Sequence, residues 1–144
     1  MAIPDNFSEL VRQLVTEKYS HSLKGSEQIY SAPNFPARKL ANVLKTYAEG
    51  VIANDVLLLF DNTVFGGAKE GFLMTDEALY WHNMKSPFKT LKFTALDHVM
   101  CERSVTVSEL SLNNTERIRT GLLAEETLEA VTEMLREIIS LKGV

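Results

Sequence analysis

Thr63–Gly71 (TVFGGAKEG) is the stretch whose residue types come nearest to a ligand site, because glycine-rich loops expose backbone amides to anions. A nucleotide P-loop requires G-x-x-x-x-G-K followed by Ser or Thr, which is absent, and no dinucleotide fingerprint occurs either. The loop has a single cation, Lys69, followed directly by Glu70. His98 and Cys101 stand three apart, which on a regular strand sends them to opposite faces. His82 belongs to another strand and His21 to a connection, so three or four converging metal ligands are not expected. Cys101 lies between Met100 and Glu102, and the neighbouring carboxylate disfavours the thiolate that a nucleophile needs. Ser104, Ser108 and Ser111 lack a G-x-S-x-G elbow. The carboxylate pairs Asp76-Glu77 and Glu125-Glu126 read as a turn and a helix start. No residue is assigned a catalytic role, no metal or cofactor is implied, and the chain is read as non-enzymatic.

The cations are equally dispersed. Lys85, Lys89 and Lys92 near Phe88 and Phe93 alternate as on a strand with one wet face. Arg117 and Arg119 share a face of the last strand, where they can bind an anion or pair with acidic neighbours; in an acidic protein pairing is the simpler reading. Residues 1–50 carry six Lys/Arg against five Asp/Glu, residues 51–103 five against seven, and residues 104–144 four against seven. With a net charge of −4 and no basic cluster, a nucleic-acid partner is not expected. The 144 residues are 45% hydrophobic and 24% charged, the composition of a soluble globular chain. The lone cysteine excludes an internal disulfide, and no apolar run reaches membrane-span length, so integral membrane insertion is not expected. The first residues, Met1–Asp5, lack the pattern of a secretory signal, which predicts a cytoplasmic protein.

Two helical patterns come first. Phe7, Leu10, Val11, Leu14 and Val15 form one stripe, with Asn6 and Glu9 as a capping pair. Ser20–Phe35 reads as a connection, partly held by Tyr19, Tyr30 and Phe35, and leaves the first helix the freer of the two. After Pro36, Leu40, Val43, Leu44 and Tyr47 form a second stripe closed by Gly50. The period then falls to two. Strands are predicted at Val56–Phe60, Gly71–Thr75, Ala78–His82, Phe88–Phe93, Leu96–Cys101, Ser104–Val107 and Leu110–Ile118, about seven in an antiparallel meander. Leu128, Val131, Leu135, Ile138 and Ile139 make a final amphipathic helix, flanked by Met134 and Leu141, to be buried against the open end of a bent sheet.

Residues Asp55–Asn83 contain Asp61, Thr63, Phe65, Gly66, Lys69 and Gly71, then Thr75, Asp76 and Tyr80. This D-x-T-x-F-G-x-x-K-x-G loop and the G-h-h-h-T-D-x-x-h-Y strand (h, apolar) resemble the first hairpin of bacterial pleckstrin-homology-like (PH-like) domain proteins of uncharacterised function. The resemblance implies an α+β fold: a PH-like antiparallel β-barrel of about seven strands with a C-terminal capping helix. It covers roughly residues 50–142, so the chain is divided into an N-terminal helical extension, residues 1–50, and a PH-like domain, residues 51–144. Lipid-binding PH domains use several basic residues on this hairpin; Lys69 alone, in an acidic domain, weighs against a lipid headgroup.

Within the hairpin, Asp61 and Asn62 are suited to bonding backbone amides, and Gly66 and Gly67 to positive φ. Gly67→Val is therefore predicted to destabilise it. Val64 and Phe65 either project as an apolar tip or, in the preferred placement, Phe65 tucks into the barrel mouth. The resulting functional reading is a protein-binding or self-associating homo-oligomeric module whose contact residues are Val64, Phe65, Lys69, Leu10 and Leu14. The alternative is a binding module for an anionic small molecule or lipid headgroup, using Lys69, Lys85, Arg117 and Arg119.

Overall fold

The residues with the least choice are Val56–Asp61, six in succession that are all buried. A strand buried on both faces must lie between two layers, and alternation sends its side chains to two different cores. Leu58 and Phe60 enter a large core, while Leu59 enters a smaller one with Val43, Tyr47, Ala48 and Leu73. The computed structural model of the chain describes residues 2–23, 26 and 28–143.

The fold is α+β. Strands β1 (Ile29–Ser31), β2 (Leu58–Asp61), β3 (Gly71–Met74), β4 (Ala78–His82) and β5 (Lys89–Lys92) form one antiparallel sheet in chain order. Strands β6 (Val99–Arg103), β7 (Ser108–Leu112) and β8 (Glu116–Arg119) form a second. The large core lies between the sheets: Phe60, Phe72, Leu79 and Trp81 face Val99, Leu110, Leu112 and Ile118. Helix α4 (Glu125–Lys142) closes it with Leu128, Val131, Met134, Leu135 and Ile138, and Arg136 Nε donates to Val99 O at 2.9 Å. No helix among the described residues is long and apolar enough to cross a membrane.

The sheets do not close into a barrel, contrary to the sequence expectation. β1 already occupies the outer edge of β2, so the row of backbone groups that closure would use is taken. Between β4 and β8 one side chain replaces a ladder. Asn83 Nδ2 donates to Arg117 O at 2.7 Å, and Asn83 Oδ1 accepts from Arg119 N–H at 2.9 Å.

The first helix is not free. It runs as α1 (Phe7–Gln13), a π-helical stretch over Leu14–Tyr19, and α2 (Ser20–Leu23). Its buried residues, Phe7, Val11, Val15, Tyr19 and Leu23, recur every four positions and all join the large core. Four residues of α-helix overshoot one turn by about 40°, so this pattern would wind off the core within three or four steps. The π stretch has a wider turn, which reverses the drift and returns Tyr19 and Leu23 to the same side. The second helical pattern forms α3 (Ala37–Leu44), which packs Val43 into the smaller core on the opposite face of the sheet.

Several local expectations give way. Asn6 makes no side-chain cap. The Ser20–Phe35 connection contributes β1 to the larger sheet. Leu96 precedes the strand that starts at Val99, and Ser104–Val107 is a turn in which Ser104 N–H donates to Val107 O at 2.7 Å. Leu110–Ile118 divides into β7 and β8, because Asn113 and Asn114 both adopt positive φ, 54° and 60°, as a tight hairpin turn requires.

Tyr19 gives the helix docking a pH signature. Burial first, then the neighbouring Glu137 carboxylate, push its phenol from near 10 up to about 12. A raised folded-state value means the native chain keeps a proton that the unfolded chain loses. This contribution is therefore complete below pH 10 and is lost as pH rises towards 12. The Tyr19→Phe variant is expected to show a shallower fall of the urea midpoint across that interval, and an unchanged slope would refute the assignment.

Candidate functional site

Asp61 ends β2 with its side chain fully buried, and a carboxylate in that position must be paired. Lys39 Nζ, from α3, lies 2.9 Å from Asp61 Oδ2 and donates to Tyr30 Oη at 2.9 Å. Asp61 Oδ1 accepts from Thr63 N–H at 2.9 Å and from the Thr63 hydroxyl at 2.5 Å. The same hydroxyl oxygen accepts from Ala68 N–H at 3.3 Å. Asn42, also on α3, donates to Gly67 O at 3.0 Å, and Gln28 Nε2 donates to Asp61 O and Thr63 O at 3.0 and 3.2 Å. The β2–β3 loop is thus tied at both ends and in the middle.

The electrostatics follow from this geometry. Burial pulls the Lys39 ammonium down, but its hydrogen bonds to Tyr30 and Asp61 and the Asp61 charge outweigh that and raise it above the usual lysine range. Tyr47, buried beneath with its hydroxyl unpartnered, is driven far above a normal phenol by burial and then by the Asp61 charge. Lys39 and Tyr47 are thus both moved further from neutrality. The cluster serves to hold a loop.

The loop carries its apolar side chains outward. Phe65 is 99% exposed and Val64 81%, so Phe65 does not tuck into the core; the projecting placement is the observed one. Two further connections stand beside it. His82 Nδ1 lies 2.6 Å from Lys69 O, and its ring meets Phe88 edge-on at 4.9 Å. Met84 N–H donates to Glu70 Oε1 at 2.8 Å, and Leu122 N–H to Asn62 Oδ1 at 3.0 Å. These bonds gather the β2–β3 loop, the β4–β5 loop and the β8–α4 connection at one end of the molecule. Five of the large apolar side chains that the surface exposes, Val64, Phe65, Met84, Phe88 and Leu122, belong to these three connections.

Lys69 and Lys85 lie exposed on the two loops, and Arg119 is exposed on β8 next to Asn83. Among the described residues none of the three has a carboxylate within ion-pair distance. Glu70, the one carboxylate on the two loops, is buried and engaged by Met84. The next carboxylates beyond Leu122, Glu125 and Glu126, open α4 at the positive end of its dipole. Arg117 leaves the proposed anion set: it pairs with Glu102 at 3.1 Å and Glu109 at 2.8 Å.

Leu10 and Leu14 are elsewhere. They are half-buried and line a shallow groove of about 350 Å³ with Gln13, Glu17, Lys18 and Leu141. His98 is exposed and precedes β6, while Cys101 is half-buried within it; among the described residues no three His, Cys, Asp or Glu side chains converge. Lys39, Tyr30, Asn42 and Gln28 escape sequence reasoning because long-range partners leave no local pattern. Met84, Phe88 and Leu122 carried one usable signal, large apolar residues among turn formers. Comparisons with protein-family models, curated proteins and solved structures find no match to this chain.

Two predictions concern the loop. Gly71 has φ +141°, and a Cβ there would lie 2.0 Å from Phe60 O, whereas Gly67 has room for one and no positive φ, so the expectation for Gly67 moves to Gly71. Gly71→Ala is expected to cost about 2–5 kcal/mol and Gly67→Ala less than about 0.5 kcal/mol by urea unfolding. Equal costs would contradict the geometry. Lys39→Met leaves Asp61 buried without its cation and is expected to cost about 3–5 kcal/mol, with part recovered on adding Asp61→Asn. A cost under about 1 kcal/mol would show that the pair is not structural.

Proposed function

We propose that this chain is a non-catalytic PH-like interaction module that binds a protein surface through its loop end, with Val64 and Phe65 as apolar anchors and Lys69 beside them. The observation that carries this reading is Phe65, a fully exposed aromatic on a loop held by a buried ion pair. A large exposed apolar side chain contributes nothing to the core, and aromatic residues are favoured anchors at protein interfaces. A rigid loop lowers the ordering cost of binding. Four strands followed by three and a C-terminal helix support the PH-like reading, with β1 and the N-terminal helices added to it.

A photo-crosslinking benzoylphenylalanine placed at position 65 tests the reading in the native host. The expected result is a discrete adduct absent from a control with the same group at exposed Val105. Adducts of equal yield at both positions would refute it. The Phe65→Ser variant is expected to lose the contact while keeping its melting temperature within about 1–2 °C, as exposed substitutions do. The alternative, an anionic small molecule or lipid headgroup, retains Lys69, Lys85 and Arg119. Salt-sensitive cosedimentation with anionic vesicles, unaffected by Phe65→Ser, would favour it instead.

A further inference from the structure

The two ends of the five-stranded sheet present different exposed charges, with Lys92 of β5 standing among the carboxylates of the second. At the loop end stand Lys69, Lys85 and Arg119, which have no carboxylate partner among the described residues, around the Val64–Phe65 tip. At the opposite end, where β3 turns into β4, a groove of about 460 Å³ is lined by Glu49, Ile52, Asp55, Asp76, Glu77 and Tyr80. Asp76 is held by Arg12 at 3.0 Å, and among the described residues Glu49, Asp55 and Glu77 have no cationic partner. Ile52, 66% exposed, supplies an apolar face at the rim.

Resting on the loop-end reading above, we propose that the partner of this end is a second copy of the chain, joined head to tail. The Val64–Phe65 tip of one copy seats against Ile52 and Tyr80 of the next, and Lys69 meets Glu49, Asp55 and Glu77. A two-fold dimer through the loop end sets Lys69, Lys85 and Arg119 against their own equivalents, a like-charge juxtaposition that opposes assembly. The same end turned towards the groove meets opposite charge. Because the two patches differ, the contact is heterologous: each added copy leaves one tip and one groove unused, and assembly continues beyond a pair.

Sedimentation velocity of the purified chain over a concentration series, at about 50 mM and about 500 mM salt, tests this, since screening weakens such contacts. The expected weight-average mass passes that of a dimer at low salt and falls at high salt. The tip variant Phe65→Ser/Lys69→Gln and the groove variant Glu49→Lys/Glu77→Lys are each expected to stay monomeric. Their equimolar mixture is expected to give one heterodimer and nothing larger, because only one complementary pair of faces survives. All four positions are on the surface, and the heterodimer itself shows that both variants fold. A benzoylphenylalanine at position 65 is expected to crosslink to residues 49–55 or 75–80 of another copy. A wild-type chain that stays monomeric, a dimer that grows no further, or a mixture without heterodimer would overturn the proposal. An adduct at position 65 with a different protein, from a chain that remains monomeric, would overturn it while leaving the loop-end reading in place.

Discussion

The ion pair between Lys39 and Asp61 is the constraint on which the rest of the arrangement turns. Taking a carboxylate fully out of water costs several kcal/mol, and one partner alone does not repay it. Asp61 is therefore surrounded: Lys39 on one oxygen, Thr63 N–H and hydroxyl on the other. Replacing the whole set by apolar side chains would fill the space more cheaply. Such a replacement would not, however, dictate the path of the nine residues that follow. Because Asp61 binds Thr63 and Thr63 binds Ala68, the charge is converted into a loop conformation that points Val64 and Phe65 into solvent.

That requirement links the N-terminal segment to the sheet. Lys39 and Asn42 lie on α3, Tyr30 on β1 and Gln28 just before it, so the loop between β2 and β3 is held largely from residues 28–42. The same segment supplies the covering layer that lets β2 be apolar on both faces, and α1 reaches the other core through its four-residue repeat. The helical segment, the double-sided burial of β2 and the open sheet edges share one cause. Residues 28–44 add a strand to the edge of β2 and a layer over its outer face, and the two sheets stay separate.

How much of this is legible in sequence depends on the range of the interaction. Strands β2 to β5, the terminal helix and both apolar helical stripes follow local periodicity and are readable. The count of seven strands after residue 50 is correct, yet two deviations compensate within it: Ser104–Val107 is a turn, and Asn113-Asn114 splits one predicted strand into two. Paired asparagines at positive φ are a turn signal overridden by the apolar Leu110, Leu112 and Ile118 around them. β1, three residues long, has too short an alternation to be seen, and its register is set wholly by β2. Lys39 and Asp61, twenty-two positions apart, share no pattern at all. Phe65 was misplaced because hydrophobicity argues for burial, whereas its exposure follows from hydrogen bonds made by its neighbours.

The net charge of −4 conceals a separation. Where cations and carboxylates are adjacent they neutralise each other, as Arg117 does with Glu102 and Glu109, or Lys89 with Glu116. Among the described residues Lys69, Lys85 and Arg119 stand unpaired by the loop end, and Glu49, Asp55 and Glu77 by the β3–β4 turn, where Lys92 of β5 is also unpaired. Pairs exposed at a surface contribute little to stability, so folding alone does not demand this distribution. In the proposed association, the difference in charge between the loop end and the groove would set orientation and rate. The buried pair fixes where the tip points, and the unpaired charges determine what it can approach.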